Sequence, residues 1–173
     1  MSRVLVAYGS KHGATVEIAE RIGRSLRDAG HDPVVRMAGD VRDVEDYDAV
    51  VLGSAVYGGR WRRDARRLLR RLRGTLDERP LWLFSSGPVG ESEPDPADRW
   101  QHPRWVREAG EHLEARDQMV FRGRIPSDPS NMMERAVARQ TPEEDRDGIE
   151  PAAIDAWAER IAQALRGEDE TLG

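Results

Sequence analysis

The sequence predicts a three-layer α/β fold, a parallel sheet with helices on both faces. Three observations carry this. Short apolar runs alternate along the chain with stretches of helical period. Runs such as Val4 to Tyr8 and Ala49 to Leu52 lack the in–out alternation of a half-exposed strand, so they are expected to be buried on both faces. Three of these runs, the first, third and fourth, end in turns rich in glycine and serine. Right-handed crossovers leave few topologies for such a chain, the order 2-1-3-4-5 among them. In that order a ligand lies beyond the carboxyl ends of the strands, where the winding reverses between strands 1 and 3.

The elements follow in order. After strand 1, Thr15, Ile18, Ala19, Ile22 and Leu26 recur at helical spacing, with Glu17/Arg21 and Glu20/Arg24 paired at i,i+4 on the other face. Gly30 stops that helix. Pro33 to Met37 reads as an edge strand, because Pro33 and Arg36 suit an edge better than a centre. Gly39 to Asp48 is a polar connector with room for one helical turn. Ala49 to Gly53 is the third strand, followed by the turn Ser54 to Trp61. From Arg60 to Arg73 a basic helix is expected, with Trp61, Ala65, Leu68, Leu69 and Leu72 inward and Gly74 as its stop. Pro80 to Ser85 is the fourth strand and Ser86 to Glu91 its turn. Ser92 to Pro103 is a surface excursion. A helix around Trp105, Ala109, His112 and Leu113 leads to the fifth strand, Met119 to Ile125. The excursion 126–142 is expected to be mobile, with a short helix over 131–139. Ile154, Trp157, Ala158, Ile161, Ala162 and Leu165 predict a closing helix between Pro151 and Gly167. Residues 1–167 thus read as one domain, with 168–173 a frayed acidic tail.

Composition narrows the function. A chain of 173 residues can bury roughly two-thirds of the surface that it exposes when unfolded. Its net charge of −5 argues against a nucleic-acid partner. The absence of cysteine removes disulfides, thiolate metal sites and cysteine nucleophiles, and with them the cysteine-dependent phosphatases. No metal-ligand spacing links His12, His31, His102 and His112, which are read as surface or core residues. No apolar run approaches the roughly 20 residues that cross a bilayer, and no signal-like segment is seen, so a soluble cytoplasmic protein is expected.

The first turn, Gly9 to Thr15, reads as a phosphate cradle. A strand that stops in such a turn and becomes a helix leaves backbone N–H groups pointing at one spot, with the positive end of the helix dipole behind them. A Walker A loop needs Gly-Lys-Ser/Thr at its end, and Gly13-Ala14-Thr15 has no lysine there. The dinucleotide fingerprint G-x-G-x-x-G is absent too. A compact turn with hydroxyls at Ser10 and Thr15 suits a terminal monophosphate. Lys11, the single lysine among 27 basic residues, lies inside it, as does His12.

The stretch Val4-Leu5-Val6-Ala7-Tyr8-Gly9-Ser10-Lys11-His12-Gly13-Ala14-Thr15 resembles the opening of the flavodoxins, and the resemblance covers nearly the whole chain. It implies FMN as cofactor. Ser10, Lys11, His12, Gly13, Ala14 and Thr15 would hold the phosphate. Ala55, Val56, Tyr57 and Gly58 would lie along one face of the ring, with Tyr57 and Trp61 available as aromatic walls. Ser86, Gly87, Pro88, Val89 and Gly90 would face the other side and the pyrimidine edge. A deazaflavin is an alternative to FMN. Within the superfamily, Gly53-Ser54-Ala55-Val56-Tyr57, Val120 to Ile125 and the excursion after strand 5 are similar to the flavodoxin domains related to oxygen-independent protoporphyrinogen dehydrogenases. That likeness implies an FMN-dependent oxidoreductase passing two electrons from a reduced tetrapyrrole to a quinone. The alternatives are a one-electron carrier that docks to redox partner proteins, and an NAD(P)H-dependent quinone reductase. A homodimer is left open.

Electrostatics enters independently. Arg60, Arg62 and Arg63 follow the second turn, and one guanidinium within about 5 Å of the ring would favour a reduced anion by roughly 1 kcal/mol, or roughly 40 mV. That points towards two-electron chemistry, and the same arginines can meet a substrate's carboxylates. Trp100 and Trp105 are candidates for a lid over the third turn, and Glu91 and Glu93 for proton acceptors.

Overall fold

The computed structural model describes residues 1–10, 13–57, 59–74, 79–87, 103–125, 132–140 and 143–171. Its strands are β1 (Arg3–Gly9), β2 (Asp32–Met37), β3 (Ala49–Tyr57), β4 (Arg60–Trp61), β5 (Leu81–Gly87) and β6 (Asp117–Arg122). Its helices are α1 (Ala14–Asp28), α2 (Arg63–Leu72), α3 (Arg104–His112), α4 (Met132–Gln140) and α5 (Pro151–Thr171). The parallel sheet has the order β2-β1-β3-β5-β6, with β4 off this path and antiparallel to the end of β3. Leaving aside β4, that is the expected order 2-1-3-4-5, with β2 at the edge.

The unalternating apolar runs are explained by two covered faces. Leu5, Ala7, Val50, Leu52, Leu81 and Leu83 pack with Ala65, Leu68 and Leu69 of α2 and Val106 and Ala109 of α3. Val4, Val6, Val51, Trp82 and Phe84 pack on the opposite face with Ile18, Ile22 and Leu26 of α1 and Ile154, Trp157 and Ile161 of α5. Phe84, Phe121 and Trp157 form an edge-to-face triangle with centroids 5.6–6.1 Å apart. Gly53 makes room for it, since a Cβ there would lie 2.1 Å from the Phe84 ring.

Several boundaries differ from the sequence reading. The third strand does not stop at Gly53 but runs to Tyr57, and Arg60–Trp61 is a short strand instead of the start of a helix, which begins at Arg63. The last sheet strand spans Asp117–Arg122, earlier than expected, and beyond it Arg124 makes only an isolated bridge to Asp147. Within 126–142 the short helix expected over 131–139 is present as α4, one residue later at each end, and Arg146 Nη2 donates to the Ala138 carbonyl at 2.8 Å. Gly167 does not end the closing helix, which continues to Thr171. A Cβ at Gly167 would meet nothing within 4 Å, and one exposed glycine costs a helix only about 1 kcal/mol.

A paired ion bond joins α1 to α5. Arg21 Nε and Nη2 donate to the two oxygens of Asp155 at 2.8 and 2.6 Å, and Ser25 Oγ donates to Oδ1 at 3.1 Å. The hydrogen bond from Arg21 holds the Asp155 carboxyl below the usual carboxylate range. A carboxyl so depressed contributes stability above its unfolded pKa of about 3.9, and the contribution is lost as pH falls through the folded value. Both side chains are partly exposed, so Asp155→Asn is expected to cost about 0.5–1 kcal/mol at pH 7. Thermal unfolding from pH 7 to pH 2 checks this: the gap between wild type and variant should close at the acid end.

Candidate functional site at the carboxyl edge of the sheet

Register alone brings the three glycine- and serine-rich segments together. Gly9 of β1 lies opposite Ser54 of β3, Ser54 opposite Ser85 of β5, and Ala55 opposite Ser86. The carboxyl ends of the three central strands therefore form one continuous edge. The first turn adds the N-terminus of α1. Gly13 has φ +80 and ψ −138, a region open to glycine alone, although a Cβ there would meet nothing within 4 Å. Its carbonyl accepts the first helical hydrogen bond, from Glu17 N–H at 3.3 Å. The N–H groups of Ala14, Thr15 and Val16 precede that bond, and among the described residues no side chain caps the helix. Ser10 and Thr15 are buried beside it. Uncapped N–H groups, the helix dipole and two hydroxyls fit a phosphate monoester. Lys11 and His12 lie outside the described residues.

The second segment is not the turn that its Gly-Ser composition suggests. β3 continues beyond the sheet edge and folds back on β4, pairing Val56 with Trp61 and Tyr57 with Arg60 across Gly59 at φ +70. Gly58 lies outside the described residues. Ser54, wholly buried, clamps this hairpin to the first turn. Its hydroxyl donates towards the carbonyls of Gly9 (3.2 Å) and Ala55 (2.9 Å) and accepts from Arg62 N–H at 2.9 Å. Gly9 permits the approach, because a Cβ there would stand 2.6 Å from that of Ala65. The third segment continues β5 through Ser86, buried, and Gly87, whose carbonyl accepts from Gly123 N–H at 2.9 Å. A Cβ at Gly123 would sit 2.5 Å from the Gly87 oxygen. Pro88, Val89 and Gly90, with Glu91, Glu93 and Trp100, lie outside the described residues.

The arginines separate. Arg60 at the hairpin and Arg63 at the start of α2 are exposed, whereas Arg62 is half-buried. Trp61, expected beside a ring, is 2% exposed and donates from Nε1 to Ser85 Oγ at 2.7 Å. Its faces belong to the core, so it is not an available wall; its inward placement on the α2 side is as expected. Trp105 likewise packs on Trp61 edge to face at 5.7 Å, a structural contact instead of a lid. His31 is a core residue, accepting from Ser2 N–H at Nδ1 and lying 3.3 Å at Nε2 from the Ala162 carbonyl. Among the described residues no group of His, Asp and Glu could hold a metal ion. The sequence reading missed the roles of Ser54, Gly9 and Gly123. A serine directly after a strand glycine was the signal for the first; the other two depend on contacts distant in sequence.

A doubly wound parallel sheet with an uncapped helix N-terminus at its β1 edge, flanked by two further glycine- and serine-bearing strand ends, defines a mononucleotide-binding α/β domain. The family model for the flavodoxin domain matches residues 5–146, and the chain belongs to that family. FMN is the cofactor of flavodoxins. A flavodoxin from Nitratidesulfovibrio vulgaris (strain Miyazaki F) is 39% identical over 61 residues, which span 34% of this chain and 41% of that protein. Among solved structures, oxidised Flavodoxin 2 from Bacillus cereus aligns with TM-score 0.61 and 21% identity over 95% of this chain and 99% of that one. Rubredoxin oxygen:oxidoreductase from Desulfovibrio gigas aligns with TM-score 0.63 and 14% identity, over 95% of this chain and 36% of that larger one. At such identities the structures speak for the fold.

Proposed function

We propose that this chain binds FMN at the carboxyl edge of its sheet and carries electrons between redox partner proteins. One observation carries the reading: the alignment of Gly9, Ser54 and Ser85 across neighbouring strands sets the uncapped start of α1 beside the β3–β4 hairpin and the end of β5. The flavin supplies the redox chemistry when bound. The protein's own part is to hold and orient it. The N–H groups of Ala14 and Thr15, with the Ser10 and Thr15 hydroxyls, take the phosphate; Lys11, His12 and Gly13 complete that turn. Ala55, Val56, Tyr57 and Gly58 line one face of the ring, and Ser86, Gly87, Pro88, Val89 and Gly90 the other side. A flavin held at this edge would pass its electrons to a protein docked there, and no described helix is long and apolar enough to cross a membrane.

A second reading is two-electron oxidation of a protoporphyrinogen-type tetrapyrrole, with a quinone as acceptor. The exposed Arg60 at the hairpin and Arg63 at the start of α2 favour it, because cationic side chains would stabilise negative charge added to a nearby ring and can meet substrate carboxylates. Visible absorption and potentiometric titration decide between them. FMN bands near ~370 and ~450 nm retained through gel filtration are the expected result for both readings. Two well-separated one-electron potentials, the second strongly negative, are expected of the carrier. A single two-electron step would favour the dehydrogenase, and a protein that retains no FMN would overturn both.

A further inference from the structure

A groove of about 300 Å³ runs between α2 and α3. Arg66 and Arg70 of α2 and Arg73, its C-cap residue, line it, with Arg60 at the hairpin end and Trp105 and Glu108 of α3 opposite. Arg73 keeps helical dihedrals, so the three positions, at i, i+4 and i+7, form one stripe along about 10 Å. Four cations that line one groove repel one another. Glu108, the acid in the groove, is already bonded by Arg104, whose Nε lies 2.7 Å from Oε1. Among the described residues no carboxylate forms an ion pair with Arg60, Arg66, Arg70 or Arg73.

Two further atoms point to an absent acceptor. Arg66 Nε and Trp105 Nε1 are both buried and find no hydrogen-bond partner among the described residues. Each is a group that can only donate. Burial without an acceptor is costly for such groups, and native structures rarely leave them so. Here two occur in residues lining the same groove, among guanidinium groups that bind oxyanions in bidentate fashion.

We propose that this groove is a second binding site, for a small molecule bearing two or more phosphate or carboxylate groups. A single oxyanion would leave the stripe largely uncompensated, whereas a diphosphate or tricarboxylate spans it. The volume is at the lower end of the range for small-ligand pockets. Its buried donors suit a ligand that enters the groove better than a partner surface that lies across it.

Calorimetric titration of the full chain with inorganic pyrophosphate and with citrate tests this at low and at moderate salt. One-to-one binding of at least one of them is expected, and the tighter of the two identifies a phosphoryl or a carboxylate ligand. Arg66→Gln should weaken binding at least tenfold. Arg66→Lys, which keeps the charge but loses the Nε donor and the fork, should weaken it nearly as much. Trp105→Phe should weaken it severalfold. Arg67→Gln, one position along on the exposed surface of α2, should change it less than twofold. Thermal unfolding of each variant shows that it is folded. Equal losses in Arg66→Gln and Arg67→Gln would reduce the site to a diffuse basic field and overturn the proposal. So would full affinity in Arg66→Lys, or binding of a poly-glutamate peptide with no binding of either small anion.

Discussion

Gly13→Ala is expected to bind FMN about 10–100-fold more weakly while keeping its fold, through strain of about 1–3 kcal/mol in the first turn. The space around Gly13 is open, so the effect cannot come from packing. It comes from the backbone: φ +80 with ψ −138 is closed to alanine, and the turn must rotate to relieve it. Rotation there redirects the Ala14 N–H, the first of the donors that would face the phosphate. Fluorescence titration of the apoprotein with FMN measures the loss. Gly39→Ala is the control, since its added Cβ would meet Asp64 only at an ordinary 3.7 Å and no left-handed φ is involved. Unchanged affinity in Gly13→Ala would mean that the phosphate is not held at this turn.

Trp157→Ala should lower stability by about 3–5 kcal/mol, the usual range for removing a large buried aromatic. Trp157 is fully buried, meets Phe84 and Phe121 edge to face, and donates from Nε1 to Asp117 Oδ2 at 2.8 Å. Its loss opens a cavity against Phe84, whose ring rests where a Gly53 side chain would be. Trp157→Phe should cost less, because it keeps a ring in the triangle and loses chiefly the bond to Asp117, about 1 kcal/mol with some lost packing. Denaturant melts separate these values. A loss below 1 kcal/mol in Trp157→Ala would show that the α5 layer contributes little to the core.

Much of this architecture was legible because it rests on local pattern. Val4 to Ala7 and Ala49 to Leu52 declared buried strands, and Ile18, Ile22 and Leu26 declared the face of α1. The passage from strand to helix at Gly13 was legible from its glycine, which takes φ +80. What the sequence hid was set by contacts between distant segments. Gly53-Ser54 has turn composition, yet the glycine serves the Phe84 ring and the serine ties Gly9 to Arg62. β4 has two residues and is held by pairing with β3, which no periodicity can announce. Trp61 had the right place in the chain for a ring wall, but Ser85 supplies an acceptor for its N–H and draws it inward. The buried atoms of Arg66 and Trp105 that find no partner among the described residues belong to two helices that no motif connects.

The two-faced sheet also bears on the order in which the molecule can be made. β1, β2 and β3 are complete within the first 57 residues, and α2 follows to cover one face. The opposite face, with Val4, Val6 and Val51, is shared between α1 and a helix that starts only at Pro151. During synthesis about a hundred residues therefore separate the making of that apolar surface from the arrival of half its cover. At ribosomal speeds of about 5–20 residues per second, that is an interval of several seconds or more. A nascent chain of this protein is thus expected to need chaperone protection until α5 has emerged, with the Ile154, Trp157 and Ile161 face as the piece that ends the dependence.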